Sequence, residues 1–89
     1  MPTVLFTSAL RRFLATPTVR VGGATVGEAL AAVFATNPGL RGYVLDDQGA
    51  VRRHVTVFVN GEAIKDRLRL SDLAKESDEI YVFQALSGG

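Results

Sequence analysis

The chain has no cysteine, no tryptophan and one histidine, and its ten basic residues stand against nine acidic ones. Without cysteine there is no disulfide, no thiolate metal site and no cysteine nucleophile. A net charge of +1 lacks the clustered basic excess with which nucleic-acid binders neutralise phosphates, which argues against that class. Long apolar runs are missing too. The longest uncharged stretch, residues 29–40, contains Thr36, Asn37 and Pro38 and falls well short of the ~18 apolar residues of a membrane span. A secretory leader places basic residues before its apolar run, whereas here Arg11-Arg12 follow one, so the order is reversed. A cytoplasmic protein with no membrane contact is expected. At 89 residues the chain forms one domain that buries about 60–65% of its unfolded surface. That is one modest core, with no room for a deep internal active site.

What is present reads as strands around one helix. Residues 3–8 (TVLFTS) are rich in β formers, with Val4 and Phe6 on one face and Leu5 on the other. Residues 9–15, with Arg11 and Arg12 beside Leu10, Phe13 and Leu14, fit either a helical turn or a loop. Residues 18–21 form a second short strand, which suggests an N-terminal hairpin. Thr25-Val26-Gly27-Glu28 matches a capping box, in which the Thr hydroxyl accepts from the Glu28 N–H and the Glu28 carboxylate from the Thr25 N–H. Val26, Leu30, Val33 and Phe34 then make one apolar stripe, and Asn37-Pro38-Gly39 ends the helix. Residues 40–53 are mixed. Residues 54–59 (HVTVFV) carry the strongest strand signal and run into Asn60-Gly61, a dipeptide suited to tight hairpins because both residues tolerate positive φ. Residues 62–64 return, residues 65–77 are polar with Leu68, Leu70 and Leu73 as expected anchors, and residues 79–84 form the last strand. This order is α+β: a mixed sheet of four to five strands packed on one main helix.

Enzyme motifs are absent. No phosphate-binding glycine loop, dinucleotide fingerprint or zinc-protease motif occurs. His54 has no cysteine partner and reads as a strand-end residue. Asp72, Glu76, Asp78 and Glu79 lack the spacing and turn glycine of a calcium loop and read as a solvated turn. Arg52-Arg53 and Arg67/Arg69 could meet an acidic partner, although surface charge is the ordinary role of such residues.

The chain closes on Leu86-Ser87-Gly88-Gly89. Typical glycine usage puts a terminal Gly-Gly in only ~0.5–1% of chains, so the pair after a strand is informative. Together with Val57-Phe58-Val59-Asn60-Gly61-Glu62, Asp78-Glu79-Ile80 and the Asn37-Pro38-Gly39-Leu40-Arg41 stretch, this tail resembles the ubiquitin-like sulfur carriers. These include the small subunits of molybdopterin synthase and the thiazole-pathway carrier. The resemblance covers the whole chain in element order and implies the β-grasp fold, with residues 1–84 as one domain and 85–89 as a flexible diglycine tail. It further implies that an E1-like enzyme adenylates the Gly89 carboxylate with ATP and magnesium, and that sulfur displaces AMP to leave a thiocarboxylate. Gly88, without a Cβ, would let the tail thread a narrow channel. ATP and magnesium belong to the partner, so no cofactor and no metal are assigned to this chain, which is a carrier rather than an enzyme.

Docking calls for a surface. Alternation places Val55, Val57 and Val59 with Ile80 and Val82 toward the helix, and Phe58, Tyr81 and Phe83 outward. The three aromatics, with Leu86 and Ser87 of the tail, are the expected contacts with the E1-like enzyme and a sulfur-accepting biosynthetic enzyme. Molybdopterin or cysteine synthesis is the expected pathway. Two alternatives stand beside the carrier: a protein modifier joined through Gly89 to target lysines, and an interaction domain whose tail is irrelevant.

Overall fold

Period-two alternation in three strands builds the inner face of the sheet. Val4 and Phe6, Val55 and Val57, and Ile80 and Val82 are all essentially fully buried. The computed structural model describes residues 1–7 and 18–84. The expected connecting segment at 9–15 and the tail at 85–89 lie outside the described residues. The elements are β1 (Thr3–Phe6), β2 (Thr18–Arg20), α1 (Val26–Thr36), α2 (Pro38–Val44), β3 (Val55–Val59), β4 (Glu62–Ala63) and β5 (Glu79–Gln84). They form one five-stranded sheet in the order β2-β1-β5-β3-β4. β5 lies in the middle, parallel to β1 and antiparallel to β3; the β1–β2 and β3–β4 pairs are antiparallel hairpins. This is the β-grasp, ubiquitin-like arrangement.

α1 covers the inner face with the expected stripe. Val26, Leu30, Val33 and Phe34 are buried, joined by Ala29. The Thr25 hydroxyl accepts from the Glu28 N–H at 3.2 Å, as a capping box requires. The reciprocal bond differs from expectation. Glu28 Oε1 accepts from the Ala24 N–H at 2.8 Å, one residue further back, beside the Thr25–Leu73 bridge, in which the Val26 N–H donates to the Asp72 carbonyl and the Ala74 N–H to the Ala24 carbonyl.

α1 is the main helix expected, and a second, shorter one follows where a mixed segment was expected. Asn37-Pro38-Gly39 ends α1 but also starts α2, with Pro38 in its first turn, where a missing N–H leaves no bond unmade. Leu40 and Val44, one turn apart, are fully buried, so the second helix is held by its own apolar face. Two of the three expected anchors also fail: Leu70 is buried, whereas Leu68 and Leu73 are 74% and 71% exposed. Leu73 pairs across to Thr25 and its neighbour Ala74 takes the inward position. Leu68 sits on a turn whose N–H groups at Leu68 and Arg69 donate to Asp66. Leu70 itself adopts φ 53°, a strained geometry for a branched side chain, held by its bond to the Asp66 carbonyl and by the Gly27 N–H on its own carbonyl. Val59, placed with the inward set, is only half-buried at the sheet's end.

Asn60 joins the β3–β4 turn to the segment that enters β5. It has φ 50° and Gly61 φ 88°, the backbone of a tight I′-type turn. The Asn60 side chain donates to Asp78 at 2.8 Å and accepts the Glu79 N–H at 2.9 Å. The turn after β3 is thereby tied to the start of β5.

Candidate functional site

β5 positions the candidate site because it alone has strand neighbours that carry the remaining outward side chains. Tyr81 sits opposite Phe58 of β3 and Leu5 of β1. Phe83 sits opposite Thr56, and Ala63 of β4 opposite Phe58. One row therefore runs Leu5–Tyr81–Phe58–Ala63 across the outer face, with Phe83 one step nearer the end of β5. The Tyr81 and Phe83 rings lie 6.4 Å apart between centroids, tilted by 34°, a favourable separation for an aromatic pair. Phe83 is 43% exposed; Phe58, Tyr81 and Leu5 are half-buried. The structure thus brings the three expected aromatics together and adds Leu5, which alternation in β1 puts on the face opposite Val4 and Phe6.

At the end of the patch, β5 finishes opposite the start of β3, with Gln84 paired to Val55. The Gln84 N–H donates to the Thr7 hydroxyl at 3.2 Å, and the Thr7 N–H donates to the Val82 carbonyl at 3.1 Å. The strand is anchored to its last residue, so whatever follows starts from a fixed point. Leu86, Ser87, Gly88 and Gly89 lie outside the described residues.

The other candidates resolve into structural roles. His54 lies in the turn before β3 and is exposed. Of the acidic candidates, Asp72 and Asp78 are spent on backbone N–H groups, Glu76 lies 3.8 Å from the Met1 amine and Glu79 is exposed. Asp72 takes the N–H groups of Lys65 and Asp66, and Asp78 takes that of Lys75. The Ser71 hydroxyl and the Arg69 N–H hold the Asp66 carboxyl below its ordinary value. The N–H groups of Lys65 and Asp66 do the same for Asp72, as do the Lys75 N–H and the Asn60 amide for Asp78. Each hydrogen bond favours the ionised form. Among the described residues no three His, Asp or Glu side chains gather to hold an ion, and no helix is long and apolar enough to cross a membrane. On the helix side a trough of about 620 Å³ is lined by Leu30, Phe34 and Leu70. Its lining also includes Arg41 and Arg69, together with Thr25 and Glu28, which are occupied in capping α1.

Known proteins share both sequence and shape with this chain. Small archaeal modifier protein 1 of Haloferax volcanii is 40% identical over 75 residues, covering 81% of this chain and 82% of that protein. The crystal structure of SAMP1 from Haloferax volcanii superposes with a TM-score of 0.84 at 33% identity, over 99% of this chain and 98% of the other. A chain of the Amycolatopsis orientalis BexX/CysO complex superposes with a TM-score of 0.87 at 26% identity over the full length of both. The sequence profile described as the ThiS family matches residues 4–89, a span that contains the aromatic row, the anchored end of β5 and both final glycines. This chain belongs to the ThiS family, the ubiquitin-like β-grasp group of small modifiers and sulfur carriers.

Proposed function

We propose that this protein is a sulfur carrier whose Gly89 carboxylate is the reacting group. The supporting observation is the central position of β5. The strand is locked between β1 and β3 as far as Gln84, and five residues then remain, ending in Gly88-Gly89. A carboxylate resists nucleophiles because its oxygen is a poor leaving group. Attack of a Gly89 oxygen on the α-phosphorus of ATP releases pyrophosphate and gives an acyl adenylate. Sulfide-level sulfur then forms the C–S bond as the C–O bond to AMP breaks, leaving a thiocarboxylate whose sulfur is passed to a biosynthetic enzyme. The chain supplies no catalytic group to these steps. It supplies a slender tail on a rigid base and, in Phe58, Tyr81 and Phe83, an apolar surface of the kind protein partners cover. ATP and magnesium are held by an E1-like partner.

A second reading is favoured by the 40% identity to a protein named as a modifier. Activation is the same, and the acyl adenylate is then captured through an amine, so that Gly89 ends in an isopeptide bond to a lysine. Incubation with an E1-like enzyme, ATP and a sulfur source, followed by mass spectrometry, separates the two. Exchange of one oxygen for one sulfur on this chain supports the carrier; adducts of this chain on other proteins support the modifier. Deletion of Gly88-Gly89 abolishes both. Function that survives the deletion refutes both readings and leaves an interaction domain.

A further inference from the structure

Charge is distributed unevenly along the sheet. At the end where β5 begins both signs mix: Glu62, Asp78 and Glu79 lie there with Arg20 and Lys75, and Glu76 is paired to the Met1 amine at 3.8 Å. At the other end, beside Gln84, is the turn from Arg52 to Val55. Five register pairs separate the two ends, roughly 13 Å at ~3.3 Å per residue. That exceeds the screening length of ~10 Å at 0.1 M salt, so an approaching partner senses each end by itself.

The basic turn is rigid. The Val55 N–H closes it on the Arg52 carbonyl. The Arg67 guanidinium donates to both the Arg52 and Val55 carbonyls, at 2.8 and 2.7 Å, and Arg52 Nε donates to the Gly42 carbonyl at 2.7 Å. Two arginines are thus consumed in fixing the backbone, while Arg53 and His54 project from it, both exposed. Among the described residues none of these basic side chains forms an ion pair with a carboxylate. The Asp66 and Asp46 carboxylates are turned onto backbone N–H groups.

We propose that the turn carrying Arg53 and His54 is the charged rim of the docking surface, and that it engages a carboxylate-lined protein surface at the mouth of the channel that receives the tail. This rests on the reading of Gly89 as the activated group. The rim adjoins Phe83 through the Thr56 pairing, so one partner face would meet the apolar patch and the basic edge together. Charge at such an edge accelerates encounter more than it alters the chemistry that follows.

The test is the kinetics of ATP-dependent adenylation of the full chain by its E1-like enzyme. The double variant R53E/H54E raises KM about tenfold at low salt, within the range known for steered association, and leaves kcat unchanged. The difference shrinks to about twofold at ~0.5 M salt, where screening is nearly complete. R53K keeps the wild-type KM, and E62K, at the opposite end, leaves it unchanged. Neither Arg53 nor His54 makes a side-chain bond that folding needs, so the thermal midpoint of the double variant stays at the wild-type value. An unchanged KM in R53E/H54E overturns the proposal, as does a salt-independent fall in kcat, an equal KM shift in E62K, or a loss confined to binding of a structured RNA. Wild-type protein that no E1-like enzyme adenylates refutes the Gly89 reading and the rim together; an active wild type with an indifferent double variant refutes the rim alone.

Discussion

Asn60 offers a direct test of how the turn after β3 is tied to β5, because two substitutions separate its two contributions. The residue holds φ 50°, a region that costs an ordinary L-residue about 1–2 kcal/mol but suits glycine. Its side chain also accepts the Glu79 N–H at 2.9 Å, a bond of the class worth about 1 kcal/mol net, and donates to the exposed Asp78 carboxylate. Asn60→Gly removes the side-chain bonds and keeps the backbone relaxed, so a loss of about 1–1.5 kcal/mol is expected. Asn60→Ala removes the bonds and adds the strain, for a loss of about 2–3 kcal/mol. In a domain of this size each kcal/mol moves the thermal midpoint by about 4–8 °C, so the pair is resolved by a melting curve and, independently, by urea titration at constant m. Equal destabilisation by the two variants would refute the backbone argument. An alanine variant as stable as wild type would show that the joint between the β3–β4 turn and β5 carries no weight.

Two further outcomes follow from the site and its surroundings. Phe83→Ser leaves the thermal midpoint within a few degrees, because the ring is 43% exposed and surface changes usually stay within about 0.5 kcal/mol, yet it raises KM for the activating enzyme about tenfold or more, as loss of a central interface aromatic does; an unchanged KM rules out the outer face as the docking surface. Asp66, Asp72 and Asp78 are all held below the ordinary carboxyl value in the folded state; their contribution to stability is complete above the unfolded value of about 3.9 and disappears as pH falls through the folded values. Thermal midpoints therefore drop on acidification below about pH 4, and the D66N/D72N/D78N triple variant is less stable at neutrality but shows a shallower acid slope; a triple variant with the wild-type slope refutes the assignment.

The parts of the fold that could be read in the residues were those governed by local periodicity. The α1 stripe of Val26, Leu30, Val33 and Phe34 and the alternation in β3 and β5 each announce which face is buried, and the burial pattern agrees. α2 was hidden because Asn37-Pro38-Gly39 carries a stop signal and a start signal at once; only the burial of Leu40 and Val44 in the common core, with α2 packed beside α1, decides that helix resumes. Leu68 and Leu73 misled for a similar reason. An isolated leucine in a polar segment has no period to give it a side, and here Asp66 and Thr25 set the backbone that turns both outward. The aromatic patch was half legible. Alternation gives the outward direction of Phe58, Tyr81 and Phe83, but that Phe58 faces Tyr81, and that Leu5 joins them, depends on register between strands far apart in the chain. The rigidity of the basic turn was not legible at all, since nothing local marks Arg67 as the residue that clamps the carbonyls of Arg52 and Val55.

The middle place of β5 has a consequence for the order of assembly. β1–β2 and β3–β4 are hairpins that can each form from neighbouring residues, but they share no edge and isolated hairpins are marginal in water. Until the ribosome has released Gln84, the two hairpins have no strand to join them and the two helices have no completed sheet to cover. The strand that bears the tail is also the keystone, so a molecule that can present its tail from a fixed point is one that has already finished folding. An activating enzyme that grips the outer face beside β5 would in that way accept completed molecules and pass over unfinished ones, with no separate inspection step.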